Sequence, residues 1–380
     1  MHHLKHARRG NGSVHVAVDL ACAQARDGHA VSFVAGEGSY DDVLLGHGVD
    51  VVSIPEASGL RGAWRAFTAT VGVARRVRPD IVHAHMMSST VIGWVVALVA
   101  RATLVTTMHN SFDSHSRLMR IARVTVAVSR AERDLLVERG FPARRVRTVL
   151  NGVVGSAREA IAVDEIGDIA GPCLVTLSGL HGRKGIDDVI RAFALVAQDF
   201  PQWHVNVIGW GPAREDLEAL AAALGLADRV HFCGPTLTPW RQLSQAQIFV
   251  TGALAEPFGL NVIEARAAGC AVVATDVGGI PEALDGGSAG LLVPPADPVA
   301  MAAAMRSLMG DPALLETWRE RARQGIDYFS VSRMARDYTD VYREAIPARR
   351  RPPVEPTSPT PQGAVARRRG MEPGRSVHQH

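Results

Sequence analysis

Glu256 and Glu264 are the two acids whose spacing points most directly to chemistry. They belong to the run Ala255-Glu256-Pro257-Phe258-Gly259-Leu260-Asn261-Val262-Ile263-Glu264-Ala265, which follows a strand pattern and opens a helical one. Pro257 and Gly259 suit the intervening turn. The amides from Phe258 to Asn261 then fall at the start of a helix, where backbone donors lack helical partners and favour an anion or a sugar oxygen. Glu256 precedes those amides and Glu264 lies about one helical turn inside, so both carboxylates can face one cleft and accept from vicinal hydroxyls. The bland readings are also open: the helix dipole alone favours an acid at Glu256, and Glu264 fits a solvated helix face.

A second group is Ser178-Gly179-Leu180-His181-Gly182-Arg183-Lys184-Gly185-Ile186-Asp187. It joins a strand to a helix, a position that gathers anions. Arg183 and Lys184 add cations suited to a diphosphate. Arginine dominates the 41 basic residues, and Lys184 is one of only two lysines, with Lys5. A solvated basic loop is the alternative. Thr106-Thr107-Met108-His109-Asn110 ends a strand, which aims His109 either at a cleft, where an imidazole can bond a sugar hydroxyl, or into the core. In Val82-His83-Ala84-His85, one histidine is expected to face the cleft and the other to be structural. Arg9-Gly10-Asn11-Gly12-Ser13, before a helical pattern, is a glycine loop and by itself a weak signal.

These loops need a frame. The chain has 380 residues, 47% hydrophobic and 21% charged, with 5% aromatics, so it has room for two or three domains with aliphatic cores. A net charge of +3 does not suggest nucleic-acid binding. Cys22, Cys173, Cys233 and Cys270 form no CxxC pair, which argues against zinc and for buried thiols in a reducing compartment. The N-terminus lacks an apolar signal segment, and the longest apolar run, Val91 to Ala100, is too short to span a bilayer. A soluble cytoplasmic protein is expected.

Strand patterns at Ala30–Ala35, Val49–Ile54, Ile81–Ala84, Leu104–Met108, Val124–Val128 and Val146–Leu150 alternate with helical ones. After Asn151-Gly152 and a linker over 153–170, a second series begins. Its strands are Cys173–Leu177, His204–Ile208, Val230–Cys233, Ile248–Thr251, Ala271–Ala274 and Gly290–Val293. The fold class expected is α/β, with two Rossmann-like doubly wound domains facing a cleft, since open parallel sheets bind ligands at their carboxyl edges. The domains are placed at 1–160 and 161–330. An amphipathic helix is expected within 331–346, and the Pro- and Arg-rich 347–380 is expected to be disordered.

Glu256 and Glu264 with seven residues between them, Phe258-Gly259 inside and Ala268-Gly269 beyond, resemble the E-x7-E signature of glycosyltransferase family 4. The likeness runs over roughly residues 5–345. It implies a retaining, metal-independent GT-B enzyme, with the helix within 331–346 crossing back to the first domain. A sugar would move from a nucleotide-sugar, UDP- or GDP-linked, to a glycan or lipid-linked acceptor in envelope polysaccharide or lipopolysaccharide synthesis. By that resemblance His109, Lys184 and Glu256 form the catalytic set. Gly10, Gly12, Arg183, Lys184, Phe258, Gly259, Leu260, Asn261 and Glu264 bind the donor, with Lys184 neutralising the leaving diphosphate, Glu256 holding the sugar and Glu264 the ribose. No cofactor, metal or nucleic acid is implied, and Asp41-Asp42, adjacent rather than spaced, reads as a surface pair.

Gly209-Trp210-Gly211-Pro212 and Val277-Gly278-Gly279-Ile280-Pro281-Glu282 look like the family's turns and are expected to be mostly structural, with Phe232-Cys233-Gly234-Pro235 near the base. Two departures stand out. Gly179 occupies a position where the family often has arginine. Only Met1–Ala7 precede the glycine loop, so the first central strand is expected to be missing or truncated, with a mis-set start as the explanation. Residues 1–160 carry 20 Lys+Arg against 13 Asp+Glu. Arg61, Arg65, Arg75, Arg76, Arg78, Arg117, Arg120 and Arg123 suit either an anionic membrane surface or plain solvation. A nucleotide-sugar epimerase and a non-catalytic sugar-nucleotide-binding subunit are the competing readings.

Overall fold

The computed structural model describes residues 1–8, 10–36, 38–54, 59–112, 114–160, 169, 171–236 and 238–348. Arg9, most of the proposed linker (161–168 and 170) and the tail from 349 on lie outside the described residues.

Seven strands form the first sheet: β1 (His2–His3), β2 (Ser32–Ala35), β3 (Asp50–Ser53), β4 (Ile81–His85), β5 (Thr103–Met108), β6 (Val124–Ala127) and β7 (Val146–Thr148). Their order is β3-β2-β1-β4-β5-β6-β7, all parallel. The second sheet has β8 (Cys173–Leu177), β9 (His204–Ile208), β10 (Val230–Gly234), β11 (Ile248–Thr251), β12 (Ala271–Thr275) and β13 (Leu291–Val293). It is ordered β10-β9-β8-β11-β12-β13. In both sheets the strand order reverses beside the first strand, and the crevice at that switch point is where ligands reach an open parallel sheet.

The central strand, expected to be missing or truncated, is present but only two residues long. His2 pairs with Phe33 on one side and His83 on the other, and His3 with Val34 and Ala84, so two buried histidines fill the central position. The sequence hid them because His-His has no β-branched or aliphatic strand signal, whereas strands on both sides supply the ladder.

The C-terminal helix Val331–Ala345 is capped by Ser330, whose side chain accepts from the Arg333 amide. Val331, Met334, Ala335, Tyr338 and Val341 repeat at helical spacing. They pack with Val16, Leu20 and Ala23 of the helix Gly12–Arg26 and with Val105, Val124 and Val126 of the first sheet. The helix thus returns from the second half to close the first core. A further helix, Pro312–Arg323, was not foreseen, although Asp311-Pro312 is its start signal: Asp311 accepts from the Ala313 and Leu314 amides. Cys22, Cys173 and Cys270 are buried, but Cys233 is exposed on the edge strand β10, contrary to the expectation of four buried thiols. Among the described residues, no helix is long and apolar enough to cross a membrane.

Candidate functional site

A cleft of about 540 Å³ is lined by both halves of the molecule. From the second half, the loop after β8 carries Lys184 to its floor. Gly185 makes this possible: it holds φ +57°, and a Cβ there would lie 1.8 Å from the Gly252 carbonyl oxygen. Only glycine lets the loop close onto the end of β11. The Glu256 loop is seated in the same way. Gly278, at φ +53°, would push a Cβ to 1.9 Å from the Glu256 carbonyl, and Gly279 donates its amide to that oxygen at 3.0 Å. Lys184 Nζ then meets Glu256 Oε2 at 2.5 Å, both side chains largely buried. The cation expected for a phosphate and the acid expected for a sugar are therefore partners of each other.

The helix Leu260–Ala268 points its start at the same space. Its N-cap, Gly259, is left-handed and offers no side-chain cap. Among the described residues, the Gly259, Leu260 and Asn261 amides find no acceptor. Phe258 departs from the expectation: its amide reaches Glu256 Oε1 at 3.5 Å, and its ring is core, against Phe329. The Asn261 side chain is also engaged. Its Nδ2 donates to the Leu177 carbonyl at 2.8 Å and its Oδ1 accepts from the Val262 amide at 3.0 Å, so the side chain is held against its own half of the cleft. Leu260 meets the first half here: a Cβ on Gly12 would sit 3.0 Å from its Cδ1. Gly10, left-handed and with open space beside it, also lines the cleft.

Glu264 lies in the cleft wall, with Arg158 Nη2 at 3.8 Å; Arg158 Nε donates to Asp19 Oδ2 at 3.1 Å. Ser156 adds a 2.8 Å bond to Asp19 Oδ1. Burial pushes the Glu264 carboxyl up to about 7, with Arg158 pulling it back and Asp19 adding to the rise. Sequence reasoning missed Arg158, which sits in the short turn Ala157–Ala160 of the supposed linker. The lone signal was an arginine in a small-residue run. Arg183 stands over the Phe112 ring at 5.0 Å and links the two walls. A Cβ on Gly179 would meet the His181 imidazole at 3.1 Å, so His181 occupies the space an arginine side chain would enter.

From the first half, His109 follows β5 and lines the cleft. Behind it the expectation for His83 and His85 is corrected. Residues two apart in a strand share a face, and both rings lie on one side, buried, with centroids 4.0 Å apart. His2, His83 and His85 bring ligand-type nitrogens within 4.8 Å of one another, the one such grouping among the described residues. Yet every one of these nitrogens already has a protein partner. His2 bonds Gln24 and His85, His83 bonds Thr107 and Tyr342, and His85 bonds His2 and His109. A metal would have to displace a bond at each ring. The halves are tied beside the cleft by Ser129 Oγ donating to the Pro257 carbonyl at 2.6 Å and the Ala131 amide donating to Glu282 Oε1 at 3.0 Å.

The sequence and the fold both have known counterparts. Residues 170–325 match the family model of glycosyl transferases group 1, and residues 10–154 match that of glycosyltransferase family 4. An exopolysaccharide phosphotransferase of Streptomyces coelicolor is 34% identical over 183 residues, 48% of this chain; the match spans 19% of that longer protein. A D-inositol 3-phosphate glycosyltransferase of Streptomyces avermitilis is 30% identical over 311 residues, covering 72% of this chain and 67% of that one. Among solved structures, Anabaena HepE in complex with UDP-glucose has a TM-score of 0.72 at 20% identity, with 88% of this chain and 97% of that chain covered. At that identity the likeness shows a shared fold.

Proposed function

The chain belongs to glycosyltransferase family 4 and is a glycosyltransferase; from that premise we propose that it moves a sugar from a nucleoside-diphosphate donor to a hydroxyl of a glycan or lipid-linked acceptor in envelope polysaccharide synthesis. The observation that carries the reading is the Lys184–Glu256 pair set beside the unpartnered amides of Gly259, Leu260 and Asn261. Donor binding brings a diphosphate to Lys184 and the amides, and Glu256, released from its ion pair, accepts from the sugar hydroxyls. The bond from the anomeric carbon to the phosphate oxygen breaks, and its electron pair leaves with the diphosphate. Charge developing on that oxygen is met by Lys184 and fixed backbone dipoles, with Arg183 near the mouth. The acceptor oxygen bonds to the anomeric carbon, and its proton passes to the departing phosphate. Glu264 takes the ribose and His109 a sugar hydroxyl. Retention of configuration is carried over from the family. A solved structure of similar fold binds UDP-glucose, which supports a UDP-sugar as the first donor to test.

The experiment is acceptor-dependent release of nucleoside diphosphate from a panel of donors. Lys184→Ala and Glu256→Ala are expected to lower kcat/KM by about 10²–10³ with an unchanged circular dichroism spectrum. Normal turnover in either variant removes the assigned roles, and an epimerised donor without acceptor points to a different reaction.

The acceptor surface of the first half supports a lipid-linked substrate. Trp64, Trp94, Leu98, Leu118 and Ile121 are exposed on three adjoining segments that also carry Arg61, Arg65, Arg117 and Arg120. Apolar side chains among cations suit an anionic bilayer surface. Arg123 leaves this set, because its Nε donates to the Ala345 carbonyl at 2.7 Å and caps the C-terminal helix. Pelleting with phosphatidylglycerol vesicles, but not with neutral ones, is the expected result; equal recovery in both supernatants ends this part of the reading.

A further inference from the structure

A line of buried side chains runs from the helix Gly12–Arg26 through the first sheet to the cleft. Gln24 Oε1 lies 2.8 Å from His2 Nε2. His2 Nδ1 lies 3.0 Å from His85 Nε2, and His85 Nδ1 lies 3.1 Å from His109 Nε2. Gln24, His2 and His85 are buried, while His109 lines the cleft. Among the described residues, no group bonds His109 Nδ1. Strand register builds this line: His2 sits beside His83 on β1 and β4, and His85, two residues on, shares that face.

Such a chain has a direction. A neutral imidazole holds one N–H and one lone pair. The Gln24 amide oxygen can only accept, so His2 donates from Nε2 and accepts at Nδ1. His85 must then donate from Nε2 and accept at Nδ1, and His109 must donate from Nε2. What remains at His109 is the lone pair on Nδ1. The rings stay neutral throughout, because burial holds His2 and His109 down at about 3 and His85 well below the ordinary value. The opposite orientation of the Gln24 amide would reverse every donor and leave His109 with an N–H at Nδ1.

We propose that Gln24, His2 and His85 are positioning residues that lock His109 as its Nε2–H tautomer, so that this wall of the cleft accepts a hydrogen bond from a ligand hydroxyl and disfavours a carboxylate or phosphate oxygen there. The consequence for turnover rests on the glycosyl-transfer reading above; the tautomer itself does not. The lone pair selects a donor sugar that presents a hydroxyl to His109. Gln24 acts three hydrogen bonds away from that contact, so its effect on His109 is not one that loss of packing alone produces.

The test is long-range ¹H–¹⁵N spectroscopy of the full chain labelled at histidine, without substrate. His2, His85 and His109 are expected to share the Nε2–H form at neutral pH. Gln24→Met, which removes the accepting oxygen, is expected to give His109 mixed tautomers and to raise donor KM about tenfold with little change in kcat, the size of one lost hydrogen bond. Gln24→Glu, which keeps an acceptor, is expected to restore the single form. An Nδ1–H form of His109 in the unaltered chain overturns the proposal, as does a single Nε2–H form persisting in Gln24→Met. If Gln24→Met does not fold, the unaltered spectrum still decides between the two directions. If the tautomers agree but no donor is turned over, the glycosyl-transfer assignment fails and the relay stands.

Discussion

The two sheets solve one problem, presenting polar groups to a shared cleft, in different ways. The central strands of the second, β8, β11 and β12, read Cys-Leu-Val-Thr-Leu, Ile-Phe-Val-Thr and Ala-Val-Val-Ala-Thr. Their chemistry waits in the loops beyond, at Lys184 and Glu256. The first sheet carries polarity inside its strands: His2 and His3 in β1, His83 and His85 in β4, and Thr106 and Thr107 in β5 are all buried. Tyr338 and Tyr342 of the C-terminal helix meet them, at Thr107 and His83. A core of apolar strands tolerates changes in its loops. A core threaded by hydrogen-bonded rings ties the site to the packing, since each unpaired group would carry a desolvation cost.

Acid should separate the halves most. Burial lowers His2, His15 and His109 to about 3 and His3 to about 4, all in the first half. A depressed folded pKa means stability present above the ordinary value of 6.5 and lost as pH falls through the window down toward 3. Hydrogen exchange, corrected for intrinsic rates, should therefore show β1, β4 and β5 losing protection between about pH 6 and 4, before β8, β11 and β12. Simultaneous loss in both sheets would remove the distinction. Next in size is Arg158→Met. It strands Asp19, 1% exposed, without its cation, and is expected to cost about 3–5 kcal/mol in urea unfolding. A cost under about 1 kcal/mol would make Arg158 a surface-like pair, with no role in joining the halves. Smallest is Gly179→Arg. Its Cβ comes tight only against the movable His181 ring, with the Trp210 carbonyl at an ordinary 3.8 Å, so the fold should hold, and an added phosphate cation should lower donor KM about threefold. An unchanged KM would mean that the second-half loop already supplies all the charge the donor uses.

Much of the second half was legible in the sequence. Strands β8, β9 and β11 fall at the positions their apolar runs indicated, because strands of a parallel sheet covered on both faces read as continuous hydrophobic stretches. Legibility failed where contacts made across the sheet outweighed local preference. His2 and His3 carry no strand signal, yet two neighbouring strands make them one. His83 and His85 looked like a cleft residue and a spare, although the two-residue period already placed both on one face. Arg158 drew no notice in a run of small residues, and only the tertiary structure shows it buried against Asp19 and Glu264.

Composition and spacing alone determined that this chain would form two parallel α/β layers, with an acidic turn and a basic turn at strand ends, since periodicity and turn residues are local properties. Which groups pair, which are spent and which stay free was decided by the tertiary structure. Lys184 against Glu256, Asn261 holding Leu177 and the ring chain behind His109 all depend on residues far apart in the chain reaching hydrogen-bond distance, and no local pattern encodes that distance.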